Sequence, residues 1–184
     1  MKRKTTKEIL AESFREIANK RPVDKITIQE IVDNCDYSPA TFYRHFKDKY
    51  DLIAWDYVYN SSIIMSKVGV DNYEWKDTLT DGMKYFFENK EYMKNLLENT
   101  NGHDAFKHYL SEANIEHLSN CVMKVSKRKE LDSNLRLLIR IYCLGTVEMV
   151  CQWLIDESQY DGNYLATVFE EALPQKLCEI LCQK

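Results

Sequence analysis

Residues 27–46, Thr27-Ile28-Gln29-Glu30-Ile31-Val32-Asp33-Asn34-Cys35-Asp36-Tyr37-Ser38-Pro39-Ala40-Thr41-Phe42-Tyr43-Arg44-His45-Phe46, hold two helix starts separated by one tight turn. Thr27 followed three residues later by Glu30 is the capping-box pattern, in which hydroxyl and carboxylate each satisfy an amide orphaned at a helix start. Ile28, Ile31 and Val32 then recur at helical spacing as a buried stripe. Cys35-Asp36-Tyr37 makes the connection. Ser38 caps the next helix, and Pro39 sits in its first turn, where a missing N–H costs nothing. A helix of about two turns is expected from Ala40 through Phe46, with Phe42 and Phe46, four apart, anchoring one face.

Upstream, Ile9, Leu10, Phe14, Ile17 and Ala18 alternate with charges, so residues 5–19 read as an amphipathic helix ended by Asn19-Lys20-Arg21-Pro22. Downstream, Lys47 and Asp48 punctuate, and a long helix is expected from Lys49 to about Val68. A supporting helix, a short helix, a three-residue turn and a second short helix form the helix-turn-helix arrangement, whose second helix enters the major groove of DNA. The outward face of that helix presents Ser38, Ala40, Thr41, Tyr43 and Arg44, and Tyr37 and Pro39 flank its start. Small, hydroxylated and cationic side chains suit base edges and phosphates. Tyr43 and His45 taken singly fit local hydrogen bonds as well as phosphate contacts.

The 184 residues carry a net charge of −4, which by itself disfavours contact with nucleic acid. The distribution reverses this. Residues 1–50 hold 11 Lys and Arg against 8 Asp and Glu, a balance of +3, so the remaining 134 carry −7. A basic end joined to an acidic body fits DNA contact through one end. With 45% hydrophobic and 29% charged residues but only 5 Gly and 3 Pro, the composition describes a folded, loop-poor protein. Glu8, Glu12, Arg15 and Glu16 interrupt any apolar run near the N-terminus, so no leader is expected, no membrane partner, and a cytoplasmic location. The six cysteines sit in apolar helical patterns and read as reduced, mostly buried thiols.

Beyond residue 70, helices are expected over 74–88, 90–99, 103–127, 132–157 and 163–182. Breaks fall at Asn101-Gly102, from Lys127 to Glu130 and at Asp161-Gly162, and Pro174 should kink or restart the last helix. The fold expected is all-α: a three-helix helix-turn-helix head over residues 1–50 and a helical bundle over 51–184 for ligand binding and dimerisation. Residues 135–155 are apolar nearly all round, with Leu135, Leu138, Tyr142, Gly145 and Met149 on one side and Leu137, Ile141, Leu144, Cys151 and Ile155 on the other. Such a helix must be covered on two sides. One side suits its own subunit and the other a second copy, with Leu165, Val168, Phe169, Leu177 and Leu181 completing the surface.

Thr27 through Val32 and Tyr37 through Lys49 resemble the tetracycline-repressor (TetR) family of regulators, with similarity spanning roughly residues 5–53. The resemblance implies an all-helical homodimer with one DNA-binding head per subunit and a variable ligand-binding body. It also implies that Thr27, Ser38, Thr41, Tyr43, His45 and Lys49 touch a double-stranded operator, mainly at its phosphates. Asp36 departs from the glycine usual in the family's turn, and Asp is among the residues that tolerate the left-handed conformation. The body is similar to the regulators of dihydroxyacetone-kinase operons in Phe46 through Leu52, Tyr92 through Leu97 and Gly145 through Leu154. That branch includes regulators answering to a protein partner, so both a repressor with a small-molecule effector and an activator with a docked protein are open readings.

Trp75, Phe86, Phe87, Tyr92, Phe106 and Tyr109 supply enough aromatic surface for a pocket, although aromatic stripes at helical spacing serve equally as core. Phe86, Tyr109, Tyr142 and Glu148 are the candidate ligand contacts. Glu148 stands out because a carboxylate in an apolar helix needs a partner, which Arg140 or a backbone group would also supply. Cys178 and Cys182 stand four apart and Cys143 and Cys151 eight apart, but no neighbouring His completes a familiar metal spacing, and His103, His108 and His117 share no i, i+4 face. No metal or cofactor is assigned. No Gly-rich phosphate loop, His-Glu-x-x-His or paired Cys motif points to an enzyme.

Overall fold

The computed structural model describes residues 3–100, 105–156 and 160–182. Ten α-helices carry the fold, with no strand among the described residues: α1 Thr6–Ala18, α2 Ile28–Asp33, α3 Pro39–Tyr43, α4 Lys49–Ser66, α5 Trp75–Glu88, α6 Lys90–Glu98, α7 Phe106–Ser126, α8 Ser133–Ile155, α9 Gly162–Glu171 and α10 Gln175–Leu181. The all-helical expectation holds. A short 3-10 turn at Val23–Lys25 replaces what the sequence shows as plain connection. The break expected at Asn101-Gly102, and His103, lie outside the described residues.

Helix starts follow side-chain chemistry. Thr5 and Glu8 cap α1, and Thr27 and Glu30 cap α2, each as a complete capping box. Asp132 accepts from the Leu135 amide at 2.8 Å to open α8, and Asp161 accepts from Asn163 at 2.8 Å to open α9. Pro174 restarts the chain as α10, one of the two outcomes expected of it, so residues 163–182 hold two helices. At the end of α7, Lys127 adopts φ 53° while the Arg128 amide donates to Met123 O at 3.0 Å, the six-to-one bond of a Schellman closure.

The chain divides into two compact units, Met1–Tyr59 with Glu91–Phe106, and Asn60–Lys90 with Lys107–Lys184. A boundary at residue 50 therefore does not follow the packing. The reason lies in α6: Met93 and Leu96 are buried, Tyr92 meets Phe14 edge-on at 6.2 Å, and Asn95 bonds to the end of α1. In this first unit Leu10, Phe14, Ile31, Phe42, Leu52 and Ile53 are essentially inaccessible.

The second unit is built around α8. Leu135, Ile139, Tyr142 and Cys143 pack with Trp75, Leu118, Val122, Leu173, Leu177 and Leu181. By length and composition α8 is apolar enough to cross a membrane, but its buried face joins this core, the pattern of a central helix. Two sequence assignments change here. Cys151 lies on the buried face and Met149 on the exposed one, because Val147, Val150, Trp153 and Leu154 set the direction of the core stripe. Leu165, Phe169, Leu177 and Leu181 are consumed by their own unit and leave little for a second copy.

Candidate nucleic-acid interface

The first unit presents α2, its turn and α3 on a fixed support. From α1, the buried Ser13 hydroxyl donates to Ile31 O at 2.6 Å and accepts from Asn34 Nδ2 at 3.1 Å. These bonds cross-link α1 to α2 and satisfy the buried Ser13 hydroxyl, as burial requires. Asp36 stands at φ 56°, and the Tyr37 amide donates to Val32 O at 2.9 Å. The turn is thus a Schellman closure whose left-handed position is filled by Asp in place of Gly.

In α3, Ser38 Oγ accepts from the Thr41 amide at 3.2 Å and Pro39 occupies the first turn. The regular helix ends at Tyr43, one turn earlier than expected. His45 and Phe46 both donate backbone bonds to Phe42 O, at 2.9 and 3.0 Å, so the chain tightens to bring Phe46 inward. Phe42 and Phe46 are buried with ring centroids 5.7 Å apart, and Phe46 lies 5.7 Å from Trp55 of α4. Lys7 covers the Phe46 and Trp55 rings at 5.1 and 5.4 Å.

Ser38, Ala40, Tyr43 and Arg44 are exposed, while Tyr37, Pro39, Thr41 and His45 are half-buried. Thr27 is exposed but engaged: its hydroxyl donates to Glu30 Oε2 at 2.8 Å and accepts from the Glu30 amide at 3.3 Å. These bonds from the Thr27 amide and hydroxyl, with the Arg21 guanidinium beside them, hold the Glu30 carboxyl down at about 2.

Lys49 differs from the expectation of a phosphate anchor. Its Nζ lies 2.9 Å from each of three carbonyls, Val23 O, Asp24 O and Ile26 O, so all three ammonium protons are taken. Burial pushes its pKa below the ordinary lysine value. The cation at the start of α4, unfavourable for the helix dipole, is matched by the carbonyl ends of the 3-10 turn. That turn was not legible in the sequence, and neither was this role. Asp48 was read only as punctuation, yet its carboxylate accepts from the Tyr50 and Asp51 amides at 2.9 Å and opens α4.

The four candidate ligand contacts differ in burial and in partners. Tyr142 is buried and donates to Phe169 O at 2.8 Å, and Phe86 is buried. Tyr109 is half-buried. Glu148 is 44% exposed and pairs with Lys107, while Arg140 turns to Glu112 at 3.7 Å. Glu148 is therefore a surface ion pair of α7 and α8, and Arg140 is not its partner. A cleft of about 410 Å³ has Met83, Phe87, Trp153 and Tyr160 among its walls, and another of about 420 Å³ has Lys67, Asn72 and Tyr73. Neither includes any of the four.

Of the six cysteines, Cys121, Cys143 and Cys151 are buried, Cys35 is half-buried, and Cys178 and Cys182 are exposed, against the expectation of mostly buried thiols. Burial pushes the Cys143 thiol up to about 12 and those of Cys121 and Cys151 to about 11, leaving them protonated and inert. No group of three metal-ligating side chains forms among the described residues.

Comparison with known proteins matches this arrangement twice along the chain. Residues 9–54 match the family model of bacterial regulatory proteins of the TetR family, and residues 73–175 match that of a TetR-type transcriptional regulator C-terminal region. No curated protein matches the chain. Solved structures share the fold at low identity. The dihydroxyacetone kinase operon activator DhaS has a TM-score of 0.64 at 16% identity, over 95% of this chain and 96% of that one. The TetR-family repressor AlkX from Dietzia sp. strain DQ12-45-1b has a TM-score of 0.60 at 14% identity, over 98% and 100%. A TetR regulator from Rhodococcus sp. RHA1 has a TM-score of 0.57 at 16%, over 94% of each chain. With its capped helix-turn-helix and its matched C-terminal region, the chain belongs to the TetR family of bacterial transcriptional regulators.

Proposed function

We propose that this chain is a sequence-specific, operator-binding regulator that works as a homodimer, with its DNA-reading head in residues 1–50 and its regulatory part in residues 51–184. The observation that carries the reading is α3: a helix start capped by Ser38, anchored inward by Phe42 and Phe46, with Ala40, Tyr43 and Arg44 left exposed. Thr27, Tyr37, Ser38, Thr41 and His45 border that surface and are assigned to phosphate and sugar contacts, which fix register. Residues of these types have no catalytic arrangement to serve there, and the family's members are regulators. The test is retention of duplex DNA flanking the protein's own gene, titrated with salt. Selective retention that weakens steeply as salt rises supports the reading. Equal binding to all duplexes, or none, overturns it.

Dimerisation is assigned to α8. Leu137, Ile141 and Leu144, spaced i, i+4, i+7, are 60%, 68% and 43% exposed on a helix whose opposite face is core. An apolar stripe of this kind favours burial against another surface, and a two-fold dimer presents it to itself. Sedimentation should give a dimer at micromolar concentration and a monomer for Ile141→Glu. A wild-type monomer sinks the assignment.

Repression is the direct reading, since operator occupancy alone excludes polymerase, and AlkX is a repressor by name. Activation through a protein docked on residues 51–184 is the second reading, favoured by the likeness to the activator DhaS and by the exposed rings of Phe87, Tyr160 and Tyr164. A small-molecule effector raises the melting temperature of the isolated protein; a protein partner co-purifies instead.

A further inference from the structure

The side chains on α3 are not equivalent. Phe42 is fully buried, and at 3.6 residues per turn the positions pointing most directly away from it are two residues on either side, Ala40 and Arg44. Both are exposed. Thr41 and Tyr43 lie on the flanks, where phosphate strands pass. The outermost ridge therefore consists of one methyl group and one guanidinium.

That guanidinium is held in place. Arg44 Nη2 donates to Thr41 Oγ1 at 3.0 Å, Thr41 Oγ1 lies 3.1 Å from Ser38 Oγ, and Ser38 caps the helix through the Thr41 amide. Arg15, Arg21, Arg128 and Arg140 each face a carboxylate, at Asp56, Glu30, Asp132 and Glu112. Among the described residues no ion pair engages Arg44. Its bond to Thr41 uses one of five N–H donors and leaves the planar fork otherwise available. The fork suits phosphate as well as bases, so position decides: the flanks face the phosphate strands, whereas Arg44 lies on the outermost ridge, opposite buried Phe42. Base reading needs that plane, because the two acceptors of guanine, O6 and N7, are met by two parallel N–H groups.

We infer that Arg44 reads one guanine in each half-site, donating to O6 and N7 in the major groove, with Thr41 as its positioning residue and the Ala40 methyl giving close approach to the neighbouring base. This rests on the DNA-binding reading above. The chemistry that recognises the ligand is thus a G·C pair at a fixed place in a two-fold site.

The test uses the full chain and duplexes selected by it from a random pool, followed by single-base variants of the selected site. Wild type should select one G·C pair per half-site, symmetrically placed. R44A should flatten the preference at that pair by roughly 10- to 100-fold while keeping the preferences elsewhere. T41V should flatten it in part, and T41S, which keeps the hydroxyl, should restore it; a merely structural role for Thr41 would lower melting temperature without moving base preference. If R44A loses measurable binding, it is compared with wild type at lower salt, where the remaining phosphate contacts strengthen. Unchanged base preference in R44A, together with uniform weakening and a salt slope shallower by about one, identifies a phosphate contact and overturns the inference. A wild-type chain that selects no site overturns the DNA-binding reading as well, which separates the two failures.

Discussion

Asn95 accepts a hydrogen bond at 3.1 Å from the backbone amide of Val23, 72 positions earlier in the chain. Its Nδ2 donates to Ala18 O at 2.6 Å and Arg21 O at 2.7 Å, and Asn99 Nδ2 fixes its carbonyl oxygen at 2.8 Å. One side chain of α6 thus closes the end of α1 and starts the 3-10 turn that Lys49 grips.

Asn95→Ala leaves the amide of the fully buried Val23 without its partner, a loss of about 1–3 kcal/mol in unfolding free energy. Asn95→Asp should be worse, since a carboxylate would face the Ala18 and Arg21 carbonyls. Urea denaturation checks both, and an Asn95→Ala variant indistinguishable from wild type would show the network to be dispensable.

Lys49→Met removes the donor shared by three carbonyls, two of them part-buried. Stability should fall by about 1–3 kcal/mol. Because the ammonium is already committed, the slope of DNA affinity against salt should stay unchanged. A slope shallower by about 0.9 would return Lys49 to the phosphate backbone.

The head was legible in the sequence because its determinants are local. Thr27 with Glu30, Ser38 with Pro39, and the Phe42–Phe46 spacing each act within one turn of helix, and all three stand as read. Asn95, Ser13 and Lys49 were opaque for the opposite reason: their partners lie 77, 18 and 26 positions away, and nothing in a polar residue's neighbourhood announces a distant carbonyl. The faces of α8 were misread at Met149 and Cys151 for a related cause. An almost uniformly apolar helix has no polar stripe to orient it, so the neighbours Trp75, Leu118 and Leu177 decide which residues turn inward.

At Asp36 the left-handed backbone costs a non-glycine residue roughly 1 kcal/mol, whereas glycine pays more chain entropy on folding. For one strained position the steric gain should win. Asp36→Gly is expected to stabilise the protein by about 0.5–1 kcal/mol. Asp36→Val, whose branched side chain resists φ near 56°, should destabilise by more than that amount. Thermal melting orders the three; a destabilised glycine variant would mean that the Asp36 carboxylate supports the turn.

In the second unit, His117 pairs with Ser61 at 2.9 Å, and burial pushes its pKa below the ordinary histidine value of 6.5. The unfolded chain therefore takes up this proton before the folded chain does. Stability that is complete above pH 6.5 must fall as pH drops below it, because protons bind preferentially to the unfolded state there. The melting temperature should decline from pH 7 to pH 5, and His117→Gln, which keeps a hydrogen-bonding group and does not titrate, should flatten that decline. An identical pH profile in wild type and variant would show that His117 does not carry the decline; the Glu30 cap acts in a separate window, since its stabilising charge is lost only as pH falls from ordinary carboxylate values towards about 2.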